Sequence, residues 1–363
     1  MDPYLLLVYV ASAFAVAFLF FPVLIKLLST WKIFDAPGKH KIHVHYVPAM
    51  GGICILLGAG FSLLIGLPLS VWLIYKFLFI ALALMFIIGL RDDILTLTPG
   101  EKLMGQILPI IILVVFGDTL LSSFYGTIFG DLVFPLPVAW LITIFAIVIL
   151  TNAYNLIDGI DGLAGTVALL ALASFGMWFF LIGDSYTSMI ALSFFGATAA
   201  FLFFNWQPSR IFMGDTGALV MGLMLSFLAV RFININFGLP DPHSLKFQSS
   251  IGTGICVLII PIFDTARVII IRMINLQSPF KADHNHLHHQ LLHMGYSHSQ
   301  AVTILAGINL AFIGVACILR NQGDTVILLI VVLACIATSL AVRSARKKHD
   351  LNEAKSRVVA KGN

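Results

Sequence analysis

Charge is scarce in this chain of 363 residues: Asp, Glu, Lys and Arg together make up 10% of it, against about 25% in an ordinary soluble domain. Cysteine is scarcer still. The four residues (Cys54, Cys256, Cys317, Cys335) each lie inside an apolar run, and no CxxC pair occurs. A disulfide-stapled secreted domain is therefore excluded, and the thiols read as small buried hydrophobes. Internal repeats, low-complexity stretches and a linker to a second domain are also lacking. What abounds is apolar residue, 60% of the chain, enough for about ten or eleven spans of about 20 residues. That excludes a soluble globular enzyme and a disordered chain. The runs are continuous and not alternating, which excludes an outer-membrane barrel. The expected fold is an all-α polytopic integral membrane protein.

Setting apolar runs against polar breaks gives about eleven transmembrane helices, at 4–28, 51–67, 71–90, 103–116, 134–150, 163–182, 186–204, 218–232, 251–274, 301–319 and 325–342. An odd count puts the termini on opposite sides. Lys and Arg gather in one set of loops (Lys26, Lys32, Lys39, Lys41, Arg91, Lys102, Arg210, Arg267, Arg272, Lys281) and after residue 342, whereas the other set holds Arg231, Lys246 and Arg320. The bias places the N-terminus outside and the C-terminus in the cytoplasm. The first run is too long, and wrongly flanked, for a cleaved signal peptide, so it reads as an uncleaved anchor. Residues 1–342 are expected to form a single transmembrane catalytic domain. Residues 343–363 form a basic cytoplasmic tail that fixes topology and meets anionic lipid.

Polar residues at membrane boundaries are costly, so their clusters point to function. Five stand out, all on the side assigned to the cytoplasm. The first is the loop from Asp35 to His43, with Lys41, His43, Pro48 and Gly51-Gly52; it suits phosphate, or simply sets topology. The second is Arg91-Asp92-Asp93, followed by Lys102 and Gln106. Adjacent carboxylates repel unless a cation, metal or side chain lies between them; the plain alternative is a solvated helix end. The third, Asn152-Ala-Tyr-Asn155-Leu-Ile-Asp158-Gly-Ile-Asp161-Gly, makes a carboxylate- and amide-rich corner and lacks the ligand spacing of a calcium loop. The fourth is Asn205 with Phe212-Met-Gly-Asp215-Thr-Gly, where a helix start favours an anion, or Asp215 holds a hard cation or merely caps. The fifth, Ser278-Pro-Phe-Lys-Ala-Asp283-His-Asn-His286-Leu-His288-His289, reads as phosphate contacts, zinc ligands or a surface loop. Oxygen ligands for Mg2+ and cations for phosphates at a lipid–water boundary together indicate a Mg2+-dependent transfer involving a phosphorylated lipid. A secondary transporter would place its acidic residues near the bilayer midplane, and a lipid-binding scaffold has no need of so many carboxylates.

In this order, Asp92-Asp93, NxxNxxDGxDGL, FMGDxG and SPFxxDxxHxHH resemble the polyprenyl-phosphate N-acetylhexosamine-1-phosphate transferase superfamily, over roughly three-quarters of the chain. The histidine string is similar to the WecA/TagO branch; the MraY branch is expected to carry a His run followed by Phe-Glu. The CDP-alcohol phosphotransferases are expected to carry DGxxAR, which is not found here. The resemblance implies transfer of GlcNAc-1-phosphate from UDP-GlcNAc to undecaprenyl phosphate, with UMP released, at the start of cell-surface glycan synthesis. A relative using another UDP-N-acetylhexosamine or UDP-MurNAc-pentapeptide is the alternative. It implies Mg2+ as cofactor, with Mn2+ able to substitute, held by Asp215 with Asn155 nearby. It implies catalytic roles for Asp92, Asp93, His286, His288 and His289. Substrate contacts are implied for Lys41, His43, Lys102, Asn152, Asp158, Asp161 (to uracil), Asn205, Phe212 (stacked on the ring) and Asp283. The implied partners are the two substrates and the bilayer, with no nucleic acid, and a homodimer is compatible with the family. The implied location is the bacterial inner membrane, multi-pass, with the active site facing the cytoplasm. Pro261 is expected to kink the ninth span.

Overall fold

A computed structural model describes residues 3–32, 47–127, 130, 132–277 and 285–362, with side chains described for 4–352 of these. Apolar segments in lipid must satisfy their backbone hydrogen bonds internally, and helices do so. The chain forms α1 (Pro3–Thr30), α2 (Gly52–Gly66), α3 (Leu69–Ile74), α4 (Lys76–Leu95) and α5 (Pro99–Ile111, continuing as a π turn to Phe116). Then follow α6 (Leu136–Leu156), α7 (Leu163–Leu181), α8 (Ser185–Asn205), α9 (Gly214–Gly238), α10 (Ser250–Val257) and α11 (Ile259–Ile274). Last come α12 (Leu287–His293), α13 (His298–Ile318) and α14 (Asp324–Gly362). Extended pairing among the described residues is limited to isolated bridges, Ser123 with Val133 and Thr127 with Gly130.

Every expected run contains a helix, yet the count of eleven spans is not reproduced. Among the described residues eight helices are long and apolar enough to cross a membrane, or nine if the bent pair α10–α11 is one span. The second run yields only the 15 residues of α2, about 22 Å long against a hydrocarbon core of about 30 Å. The third is divided at Tyr75 into α3 and α4, and α4 ends on Arg91-Asp92-Asp93, charges that an apolar span does not tolerate. The kink expected at Pro261 lies three residues earlier. The two helices meet at Leu258 at 87°. Pro261 falls in the first turn of α11, where a missing N–H costs nothing because those N–H groups have no intrahelical acceptor.

Helix α9 is the axis of the fold. It is buried along most of its length and packs against α2, α4, α6, α7 and α10. Its close neighbours approach through small residues, as helices do in lipid. A Cβ on Gly52 would lie 2.2 Å from the Gly217 Cα, and one on Gly89 2.4 Å from the Asp215 carbonyl oxygen. Both contacts are possible only for glycine, and they seat α2 and α4 on the start of α9. Exposed large apolar side chains line α1 and the apolar part of α14, the surfaces that face lipid. Beyond residue 342, α14 continues without a break to Gly362.

Candidate active site

Three of the five clusters converge at the junction of α4, α5, α6 and α9. Thr98-Pro-Gly-Glu101 starts α5 as a capping box, with Pro99 in the first turn, the Thr98 side chain accepting from Glu101 N at 3.3 Å, and Glu101 Oε2 accepting from Thr98 N at 2.9 Å. That fixes Lys102 one residue further on. Its ammonium reaches the Asp92 carboxylate at 3.1 Å, donates to Asn155 Oδ1 at 3.1 Å and contacts the Asp215 carboxylate directly. Asn155 Nδ2 also donates to Asp215 Oδ1 at 2.7 Å. Three oxygens from three helices thus surround one cationic nitrogen.

The adjacent carboxylates of Asp92 and Asp93 avoid repulsion by facing different partners. Asp92, at the C-terminal end of α4, opposes the helix dipole. It is held by Lys102 and by the Leu97 N–H at 2.7 Å. The Asp93 carboxylate, also from the last turns of α4, lies at the start of α9, the favourable end of the α9 dipole. It accepts from Asp215 N at 2.8 Å, from Thr216 N at 2.9 Å and from the Thr216 hydroxyl. The amides that the sequence offers to an anion are therefore filled from within the chain. Asp215 is left facing the cation, with 28% of its side chain exposed against 7% for Asp92. Asp215 is the carboxylate open to a ligand.

The remaining expected residues divide between this centre and its frame. Asn152 exchanges hydrogen bonds with the buried Gln106, donating at 2.8 Å. Asn205 accepts from Gly162 N at 2.9 Å and donates to Ile211 O at 2.8 Å, tying the Asp-Gly corner to the segment that leads into α9. Phe212 has a half-buried ring. Its N–H donates to Pro48 O, and its carbonyl accepts from Gly51 N, both at 2.9 Å, so the end of the first cluster joins the fourth. Asp158 is half-buried in the turn between α6 and α7. Asp161 is buried, with Oδ2 3.4 Å from His298 Nδ1 and 3.4 Å from Ser209 N. Lys41, His43 and Asp283 lie outside the described residues.

The histidine loop is ordered by Asp264 on α11, and it meets the corner after α6. The Asp264 carboxylate takes Leu287 N at 2.8 Å, pairs with His286 Nδ1 at 2.9 Å and lies 3.8 Å from the Arg267 guanidinium. It is a cap for α12 and fixes the His286 ring. His288, 1% exposed, lies against the backbone of the corner: a Cβ on Gly159 would be 2.6 Å from its Nε2. That nitrogen is buried without a hydrogen-bond partner among the described residues. Burial, helped by His289, pushes the His288 imidazole down to about 3, so it is neutral. The His288 and His289 rings are 4.2 Å apart. The sequence motifs do not include Asp264, and they do not mark His298 as the partner of Asp161. No local signal marks His298, because it reaches the site across 137 residues of chain.

The glycosyl transferase family 4 profile matches residues 73–233, a stretch that contains Asp92, Lys102, Asn155 and Asp215. The chain is 31% identical to a probable undecaprenyl-phosphate N-acetylglucosaminyl 1-phosphate transferase of Bacillus subtilis (strain 168), over 79% of this chain and 77% of the relative. It is 28% identical to the undecaprenyl-phosphate alpha-N-acetylglucosaminyl 1-phosphate transferase of Escherichia coli (strain K12), over 83% and 80%. It is 32% identical to the decaprenyl-phosphate N-acetylglucosaminephosphotransferase of Mycolicibacterium smegmatis, again over 83% and 80%. Matching motifs, a multi-pass helical fold and relatives along most of its length place the chain in glycosyl transferase family 4, among the WecA/TagO-like members of the polyprenyl-phosphate N-acetylhexosamine-1-phosphate transferases.

Proposed function

We propose that the protein transfers GlcNAc-1-phosphate from UDP-GlcNAc to undecaprenyl phosphate, giving undecaprenyl-diphosphate-GlcNAc and UMP. The observation that carries this reading is the convergence of Asp92, Asn155 and Asp215 oxygens on one cation position. It lies in a chain whose relatives are named for this kind of reaction. An oxygen of the lipid phosphate attacks the β-phosphorus of the nucleotide sugar. The bond from that phosphorus to the bridging oxygen breaks, and UMP leaves with the oxygen and its electron pair.

The donor set fits Mg2+, or Mn2+ in its place: hard oxygens only, with a carboxylate still open at Asp215. The Lys102 ammonium stands where a cation is held. Asp215 and Asn155 would hold the metal, which when bound neutralises charge on the diphosphate. Lys102 binds a phosphate at the same corner, its flexible ammonium suiting that role. Asp92 positions the lipid phosphate, which is already ionised at neutral pH and needs no strong base. Asp93 shapes the start of α9. His288 offers its buried Nε2 to a phosphate or to the sugar, and Asp264 keeps His286 in register beside it.

The positive-inside bias supports an orientation with the N-terminus outside and this site facing the cytoplasm of a bacterial inner membrane. The test is UMP release by purified protein given undecaprenyl phosphate, Mg2+ and, separately, UDP-GlcNAc, UDP-GalNAc or UDP-MurNAc-pentapeptide. Release from UDP-GlcNAc alone is expected, dependent on lipid and metal. Release only from UDP-MurNAc-pentapeptide would move the chain's substrate to the alternative donor, and none from any donor in folded protein would overturn the reaction.

A further inference from the structure

We propose that His293, His349 and Asp350 form a second metal site, for one Zn2+-like transition ion, that clamps α14 to α12. The cluster joins the C-terminal end of α12 to the part of α14 beyond the apolar span. Its ligand chemistry differs from the oxygen-only set around Lys102: two imidazoles and one carboxylate are donors that zinc accepts readily.

The distances point to a shared ion and not to hydrogen bonds. His293 Nδ1 lies 3.7 Å, and His349 Nδ1 3.9 Å, from the same Asp350 Oδ1. One ligand atom from each residue falls within 4.8 Å of the others. Those separations exceed a hydrogen bond, about 2.7–3.2 Å. They approach the roughly 3.3 Å between neighbouring ligands of a tetrahedral ion with bonds of about 2.0–2.1 Å. A second observation is independent of these distances: His349 Nδ1 is buried and has no hydrogen-bond partner among the described residues. A buried ring nitrogen needs a partner, and a metal shared with Asp350 supplies one. Three protein ligands leave a fourth position for water. Arg346 Nε stands 4.0 Å from the other carboxylate oxygen, Oδ2, and leaves Oδ1 to the ion. Arg346, His349 and Asp350 share one helix face at i, i+3 and i+4, whereas Lys347 and Lys348 fall off it.

Occupancy would tie the tail to the helix that begins directly after His286 and carries His288 and His289. The ion therefore ties the tail to the histidine loop without touching the Lys102 centre. The experiment uses the full chain in detergent, with no polyhistidine tag and with millimolar Mg2+ present, and measures Zn2+ binding by competition with a chromophoric chelator. One Zn2+ per chain is expected, with affinity reduced at least tenfold in His349→Ala and in Asp350→Asn, and unchanged in His289→Ala. Zn2+, and not further Mg2+, is expected to protect residues after 342 from protease in the wild type and in His289→Ala, and in neither tail variant. UMP release without Zn2+ should stay within about twofold of wild type in both tail variants, which confirms that they fold. Equal Zn2+ affinity in wild type and both tail variants would overturn the proposal. So would loss of the site in His289→Ala, or binding without protease protection.

Discussion

At the scale of single residues, the centre is a balance of buried charge. Two carboxylates and an amide at a membrane boundary are costly unless a cation sits among them, and the Lys102 ammonium does so. In the proposed reaction it would be both a phosphate ligand and an internal competitor for the metal. Lys102→Gln should therefore lower kcat by about 100-fold, as loss of one charged contact to a transferring phosphate does, while shifting half-saturation by Mg2+ to lower concentration. Steady-state rates across a Mg2+ titration read both, and an unchanged kcat would remove Lys102 from the centre. Burial holds the His288 imidazole neutral well below the pH at which a surface histidine gains its proton. Its folded value is about 3, below the ordinary 6.5, so between those values the unfolded chain binds a proton that the folded chain does not. The stability this residue contributes is present above pH 6.5 and is lost as pH falls toward 3. Melting temperatures at pH 7.5 and 5 should diverge less in His288→Gln than in wild type.

At the scale of elements, the site is assembled by helix ends. α4 contributes a C-terminus, α9 an N-terminus, α5 a capping box, and the corner between α6 and α7 an amide-rich turn. The close approach of α2 to α9 through Gly52 and Gly217 leaves no room for a side chain. Gly52→Val should cost about 1–3 kcal/mol, as overpacking does. It should lower the detergent melting temperature and reduce turnover by displacing the start of α9, which a thermal shift and a rate measurement would show together. Much of this chemistry was legible in the sequence. The sequence marks polar clusters around Asp92, Asn155 and Asp215, the metal-holding roles of Asn155 and Asp215 being implied by the resemblance, and the structure brings those clusters together around Lys102. Less legible was the division of labour within Asp92-Asp93. Which carboxylate meets the lysine and which caps α9 depends on how α4 crosses α9, and neighbours in sequence carry no trace of that crossing. Asp264 and His298 were obscured for the same reason: their partners are distant in the chain.

At the scale of the whole molecule, the fold is a bundle around α9 with lipid-facing helices outside it. The helical, multi-pass class follows from composition alone, because 60% apolar residue in continuous runs has no other stable arrangement. The number of spans does not. Every apolar run contains a helix, but α12 lies outside the runs, α2 is short, α4 ends in charge, and α10–α11 bends by 87° at a leucine. The central claim is that Asp215 is the open carboxylate through which this bundle moves a phospho-sugar to a lipid. The most direct test compares wild type with Asp215→Asn, measuring UMP and undecaprenyl-diphosphate-GlcNAc together in the presence of Mg2+. Wild type is expected to give equimolar products, and a variant that retains the wild-type melting temperature at least about 100-fold less of both. Near-normal turnover in that variant, or UMP formed without lipid product, would contradict that claim.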